Sequence, residues 1–243
     1  MKTRKHHSGL AGMSVALMLA LSACGGGQAT SESSATASSA PAASSSASAS
    51  AVSTPTAKAS ASASATVAAE PRGSEVVEVR AADDTNADAA IAKQEATKAA
   101  KRVVLNDMRM FNAWAHGDFE HTSDEELLRF VDSGTLDQVK KTLDSLHEDI
   151  KNNGGVFTGD VAIRNVEVSD ILTYDYPDGT SYPYGYLRVT YCSDWTQLRI
   201  PNGERAIVGP DSTATVEVLV LRLQDGRYVY AGARELNTGC ASS

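Results

Sequence analysis

The hydrophobic pattern of this chain changes period once, and the change falls at Asn153-Gly154-Gly155. Upstream, apolar residues recur every three or four positions, which lays side chains along one face of a helix. Downstream they come in short runs rich in Val, Ile and Tyr, separated by turn sequences, as in strands. A chain that reads helices first and strands second, rather than alternating them, is α+β.

The helical part divides into three segments. Over residues 83–115, Ala96, Ala100, Val104, Met108, Phe111 and Ala115 form one stripe that Trp114 extends, and Gly117 closes it as a left-handed terminating residue. Ser123 with Glu126 reads as a capping box opening a short second helix through Leu127, Leu128 and Val131. Thr135 with Gln138 reads as another, opening a third helix with the apolar side Leu136, Val139, Leu143, Leu146 and Ile150. The strand part reads as five runs, residues 156–165, 166–174, 184–192, 214–224 and 227–234. Pro177-Asp178-Gly179 and Pro201-Asn202-Gly203 are reverse-turn sequences, and Asp225-Gly226 is expected to form a two-residue type I′ hairpin loop. Hairpins pair antiparallel, so the expected body, residues 83–243, is three helices on a curved antiparallel sheet of four to five strands.

The first third of the chain offers nothing comparable to bury. Residues 25–72 are nearly all Ser, Ala, Thr and Gly, with Pro41, Pro55 and Pro71 and no aromatic residue. Such a tract cannot offset the entropy of ordering, and it reads as a disordered linker with a typical reach of about 40 Å. Its composition permits O-glycosylation without establishing it. Residues 73–82 read as a transition into the domain.

At the N-terminus, Lys2, Arg4, Lys5, His6 and His7 precede an uncharged apolar run over residues 10–21. The run is short of the about 20 residues that span a bilayer and has the layout of a secretory signal. It ends in Leu21-Ser22-Ala23-Cys24, which resembles the lipobox of bacterial lipoproteins. The resemblance implies that residues 1–23 are a signal peptide and that Cys24 receives a diacylglyceryl group in thioether linkage. It also implies a mature chain of residues 24–243 held on the extracytoplasmic face of the cell membrane, with residues 24–72 as its tether. More than one acyl chain on the cysteine makes such attachment persistent.

With Cys24 assigned to lipid, Cys192 and Cys240 remain. In an oxidising compartment they are expected to form one disulfide worth about 3 to 4 kcal/mol, the rival reading being two buried free thiols. Loss of residues 1–23 removes three basic residues and no acidic one, which moves the net charge from −8 to −11. An acidic domain without a Lys/Arg stripe argues against nucleic acid as a partner.

At the level of whole elements, a long helix, two shorter ones and a curved antiparallel sheet resemble the cone-shaped nuclear-transport-factor-two-like fold. Phe111-x-x-Trp114-x-x-Gly117-Asp118 is similar to the helix end and turn of many members, and the 154–159 sequence Gly-Gly-Val-Phe-Thr-Gly to their entry into the first strand. Lipoproteins of high-GC Gram-positive bacteria that combine a lipobox, a Ser/Ala/Thr tether and such a domain also carry a Cys-x-Asp segment like Cys192-Ser193-Asp194. Family enzymes place Asp, His or Tyr groups inside the cone, at positions that vary between members.

Three constellations are candidates for chemistry. His116, Asp118, Glu120 and His121 could supply an acid/base pair, although their spacing matches no metal-binding helix motif, and the alternative is a solvated turn between helices. Tyr174, Tyr176, Tyr182 and Tyr184 form a cluster suited to contacting a ligand or partner, or to covering a sheet edge. Tyr191, Asp194 and Trp195 flank the expected disulfide, where Asp194 is either an inward base or a cap on the turn. No phosphate loop, nucleophile elbow, CxxC pair or calcium loop is present, and no metal site or cofactor is expected. The leading expectation is a lipid-anchored, non-enzymatic binding or interaction module for an envelope protein, glycan or small molecule. The competing expectations are a small extracytoplasmic hydrolase or isomerase using His116, Asp118 or Asp194 as base, and a structural subunit of an envelope complex.

Overall fold

A computed structural model describes residues 72–240. The signal segment, Cys24 and nearly all of the linker lie outside the described residues. In chain order the elements are β1 (Val79–Arg80), α1 (Ala89–Ala115), α2 (Asp124–Leu127), α3 (Leu136–Asn152), β2 (Ala162–Asp175), β3 (Ser181–Asp194), β4 (Thr213–Arg222) and β5 (Arg227–Thr238), with one 3₁₀ turn at Pro210–Ser212. The fold is α+β, with a five-stranded antiparallel sheet in the order β1-β5-β4-β3-β2.

Helix ends follow the local chemistry of the sequence. Asp88 caps α1 by accepting from the Ala90 amide, so the helix starts six residues after the position expected from its alanine pattern. Gly117 (φ 87°) ends it, with its own amide bonded to the Trp114 carbonyl and the Asp118 amide to Ala113, which satisfies two terminal carbonyls. Gly154 and Gly155 end α3 in the same way on Lys151 and Ile150. Ser123 Oγ accepts from the Glu126 amide as expected, but the second box is absent: Thr135 makes no side-chain cap, and Asp137 supplies the acidic charge in that first turn.

The sheet differs from expectation in two places. The runs at 156–165 and 166–174 are not two strands. Residues 156–161 form a loop bridged to Arg199 through Thr158, and the remainder is one strand of 14 residues, β2. Asn165, with φ 54°, marks a bulge within it rather than a turn between strands. The fifth strand is instead β1, which pairs Val79 and Arg80 with Tyr228 and Arg227. The expected type I′ loop at Asp225-Gly226 is a three-residue loop, since only Gly226 has positive φ and the Leu223 amide bonds the Arg227 carbonyl. The same geometry recurs at Tyr176–Thr180 and Ile200–Glu204, where Asp178 and Asn202, like Asp225, accept from the amide two residues on.

Register shifts along β2–β3 and β4–β5, including one beside Gly232, curl the sheet into a half-barrel. α1 packs against β2, β3 and β5 on the inside of the curl, and α3 packs beside it. Val189, Leu187, Val218, Val220 and Tyr228 meet the expected α1 stripe there, every member of which is buried. Asn112, also buried, donates to the Val161 carbonyl (3.0 Å) and accepts from its amide (2.9 Å), clamping the approach to β2 onto the end of α1.

Arg72, expected as the end of the linker, and residues 73–80 of the expected 73–82 transition form a strap along the outer side of α1. Asn106 donates to the Val77 carbonyl at 3.0 Å, Arg109 and Arg102 reach the carbonyls of Glu75 and Arg80, and Val79 joins the core. The domain body therefore begins before residue 83.

Candidate functional site

The structure places the sequence candidates at the two ends of the sheet and around the strap. His116 Nε2 lies 2.8 Å from the Gly159 carbonyl and 3.4 Å from Asp160, which Arg72 also meets. Asp118 accepts from Ser74 Oγ at 2.7 Å, and that bond holds its carboxyl below the usual range. Both side chains thus fasten the strap and the loop before β2. His121 pairs with Glu126 at 2.8 Å, whose hydrogen bond raises its pKa, and His147 stacks on Phe119. Among the described residues no three His, Cys, Asp or Glu side chains come together as a metal-binding set.

Asp194 is buried at the end of β3. It accepts from the Thr196 amide (3.0 Å) and hydroxyl (2.6 Å) and pairs with Arg164, so it caps the turn that leads to Trp195. Cys192 and Cys240 form a disulfide with a Cα–Cα distance of 5.5 Å, tying the C-terminal tail to β3.

The tyrosines assemble around one ion pair. Tyr174, Tyr176 and Tyr182 meet edge to face at 4.8 and 5.8 Å, Arg222 lies 3.9 Å above the Tyr182 ring, and Tyr176 donates to the Arg222 carbonyl. Arg222 pairs with Asp84, which also accepts from Tyr228 at 2.7 Å. Burial opposes the Asp84 charge, but these two donors outweigh it and hold its pKa low. Tyr184 donates to the Ala89 carbonyl at the start of α1. The cluster closes one end of the curl and leaves the tyrosine faces partly exposed.

A different acid faces the interior. Asp107 stands at the centre of the apolar stripe of α1, four residues from both Val103 and Phe111 and seven from both Ala100 and Trp114, all of them buried. Asp107 itself is half-buried among them. Burial pushes the carboxyl up to about 7. Its electrostatic neighbours are Tyr191 of β3 and Tyr230 of β5, whose phenols are raised first by burial and then by the Asp107 charge.

Each of these groups is held by its element. Tyr230 stacks on Phe130 at 6.0 Å, and its backbone is pinned by bonds to Phe130 and Asp132, both 2.8 Å. Tyr191 precedes the disulfide-bonded Cys192 and points to the opposite face of the strand. Among the described residues, neither the Asp107 carboxyl nor the Tyr191 and Tyr230 hydroxyls form a hydrogen bond. The Trp114 indole N–H, two turns along the stripe, is also buried without a partner. Native interiors rarely leave such groups unpaired, and a ligand or ordered water is the usual complement.

Sequence reasoning missed Asp107 and Tyr230, although an acid in mid-stripe was visible at its helical position. No family model matches the chain, and neither the curated proteins nor the solved structures compared with it include a match.

Proposed function

We propose that this protein is an extracytoplasmic binding module, anchored by lipid on Cys24, whose curled sheet encloses a site for a small molecule. The observation that carries the binding role is the convergence of Asp107, Tyr191 and Tyr230, whose side chains form no hydrogen bond among the described residues, inside the curl. The order of elements and the helix lying in the curl support the cone-shaped nuclear-transport-factor-two-like identity for the domain. The lipobox and the tether composition support the anchor. Among the described residues no helix is long and apolar enough to cross a membrane.

For the enzymatic reading, the acid in position would be Asp107, because His116, Asp118 and Asp194 are engaged in internal hydrogen bonds. A carboxyl titrating near 7 suits a general base as well as a ligand contact.

The test is recovery of the lipoprotein from membranes of cells that make it, with Cys24→Ser and Asp107→Ala versions in parallel. Cys24→Ser is expected in the aqueous fraction. Wild-type protein is expected to carry a low-mass compound in native mass spectrometry that Asp107→Ala lacks. Equal membrane retention of Cys24→Ser removes the anchor, and the same bound-compound mass increment, or none, on wild type and Asp107→Ala removes the interior site.

A further inference from the structure

Resting on that reading, we infer that the interior site takes a hydrophobic organic cation, an alkyl- or arylalkyl-ammonium, with Asp107 as its counter-charge. Among the described residues no base faces Asp107, and the guanidinium on the inner face of β4, Arg222, is already paired with Asp84 and stacked on Tyr182. An ionised Asp107 therefore has no counter-ion among the described residues, and against an apolar core an uncompensated carboxylate is costly. A ligand that brings one positive charge completes the pair.

The surrounding groups favour the same chemistry. Tyr191, Tyr230, Phe111 and Trp114 belong to the buried core around Asp107. Aromatic faces attract ammonium groups, and phenol oxygens accept hydrogen bonds from N–H. An anion would meet the Asp107 charge directly, and the chain as a whole, at a net −8, attracts cations and repels anions. A neutral alcohol gains no comparable pairing with a carboxylate's full opposite charge.

Proton linkage follows from the geometry. Among the described residues the titratable groups facing Asp107 are Tyr191 from β3 and Tyr230 from β5, and both phenols are raised and stay neutral through the physiological range. Only Asp107 changes charge there, at about 7. An ammonium binds the carboxylate form, so its affinity is expected to be constant above pH 8 and to fall about tenfold per unit below pH 7.

The experiment is calorimetric titration of the mature protein with n-alkylammoniums from butyl to decyl, the alcohols of the same lengths and the matching carboxylates, at pH 8.5 and 5.5. Tryptophan fluorescence provides a second readout. The expected result is binding of an ammonium at least about tenfold tighter than its alcohol at pH 8.5. That advantage is expected to disappear in Asp107→Asn and to shrink at pH 5.5 in wild type. The wild-type pH arm decides the matter even if Asp107→Asn folds poorly. An alcohol that binds as tightly as the ammonium at pH 8.5, or ammonium binding indifferent to pH and to Asp107→Asn, overturns the cation inference and leaves the interior site standing. Failure of all three series on folded protein removes the interior site itself.

Discussion

An aspartate in the middle of a buried helical stripe lowers stability unless something is gained from it. The Asp107 carboxyl occupies a position where Val103, Phe111 and Trp114 fill the neighbouring turns, and desolvation alone raises its pKa. Asp107→Leu is therefore expected to stabilise the folded protein by about 1–2 kcal/mol at pH 8 while removing ligand binding. The sign of the pH effect follows from the raised value. The folded carboxyl keeps its proton up to about pH 7, whereas the unfolded one releases it near about 3.9. The stabilisation linked to this group is thus full below the lower value and is lost as pH rises through the upper one, at up to about 1.4 kcal/mol per unit. Urea denaturation of wild type and Asp107→Leu at pH 5 and pH 8 checks this: a gap no larger at pH 8 than at pH 5 would contradict the placement of Asp107. The residue was legible in the sequence as an interruption of the apolar period. A stripe read only by its apolar members passes over the acid in its middle. Tyr230 was less accessible, because a tyrosine in an alternating strand looks the same whether its hydroxyl meets solvent or an interior acid.

Elements were legible where local chemistry decides them and obscure where tertiary contact does. The glycine stops at Gly117 and Gly154, the Ser123 cap and the three Asp/Asn-Gly turns were all visible, because each depends on a side chain within a few residues. The continuity of β2 was not, since Asn165 at positive φ carries the signature of a turn while the partner strand β3 runs on unbroken beside it. The loop before β2 depends on a close approach that no local pattern reports. A Cβ at Gly159, φ 75°, would lie 2.1 Å from the Gln197 carbonyl oxygen, and the Gly159 carbonyl meets His116. At Gly179, φ 87°, a Cβ would meet nothing within 4 Å. Gly179→Ala is accordingly expected to cost about 1 kcal/mol, the backbone strain alone. Gly159→Ala, which adds backbone displacement, is expected to cost more than about 2 kcal/mol. Equal losses in chemical denaturation would show that the 156–161 loop does not rest on the segment after β3.

For the whole molecule, the decisive feature is where the domain body starts. Residues 73–82 have mixed charge and no clear period, so their sequence does not reveal that they belong to the body, and the strap they form is apparent only against α1. It fills three needs of that helix at once: Val79 extends the core, β1 covers part of the β5 edge, and the strap carbonyls accept from Arg102, Asn106 and Arg109. Ser74, 2% exposed, anchors its near end on Asp118. A tether joined at Arg72 would therefore pull on the end of α1 through Ser74–Asp118 and Arg72–Asp160, not on the curl around Asp107. Chains beginning at residues 72 and 83 separate the two views of this boundary. A 72–243 chain is expected to unfold at the same urea midpoint as mature protein, because residues 24–71 offer almost nothing to bury. An 83–243 chain leaves Asn106 without its strap partner and uncovers Val79's site. It is expected to lose at least about 3 kcal/mol, from one buried apolar side chain together with the orphaned donors. If both chains unfold at the mature midpoint, the strap is an adherent tail rather than part of the fold. In that case tension on the proposed tether would peel it away without loosening the proposed site around Asp107.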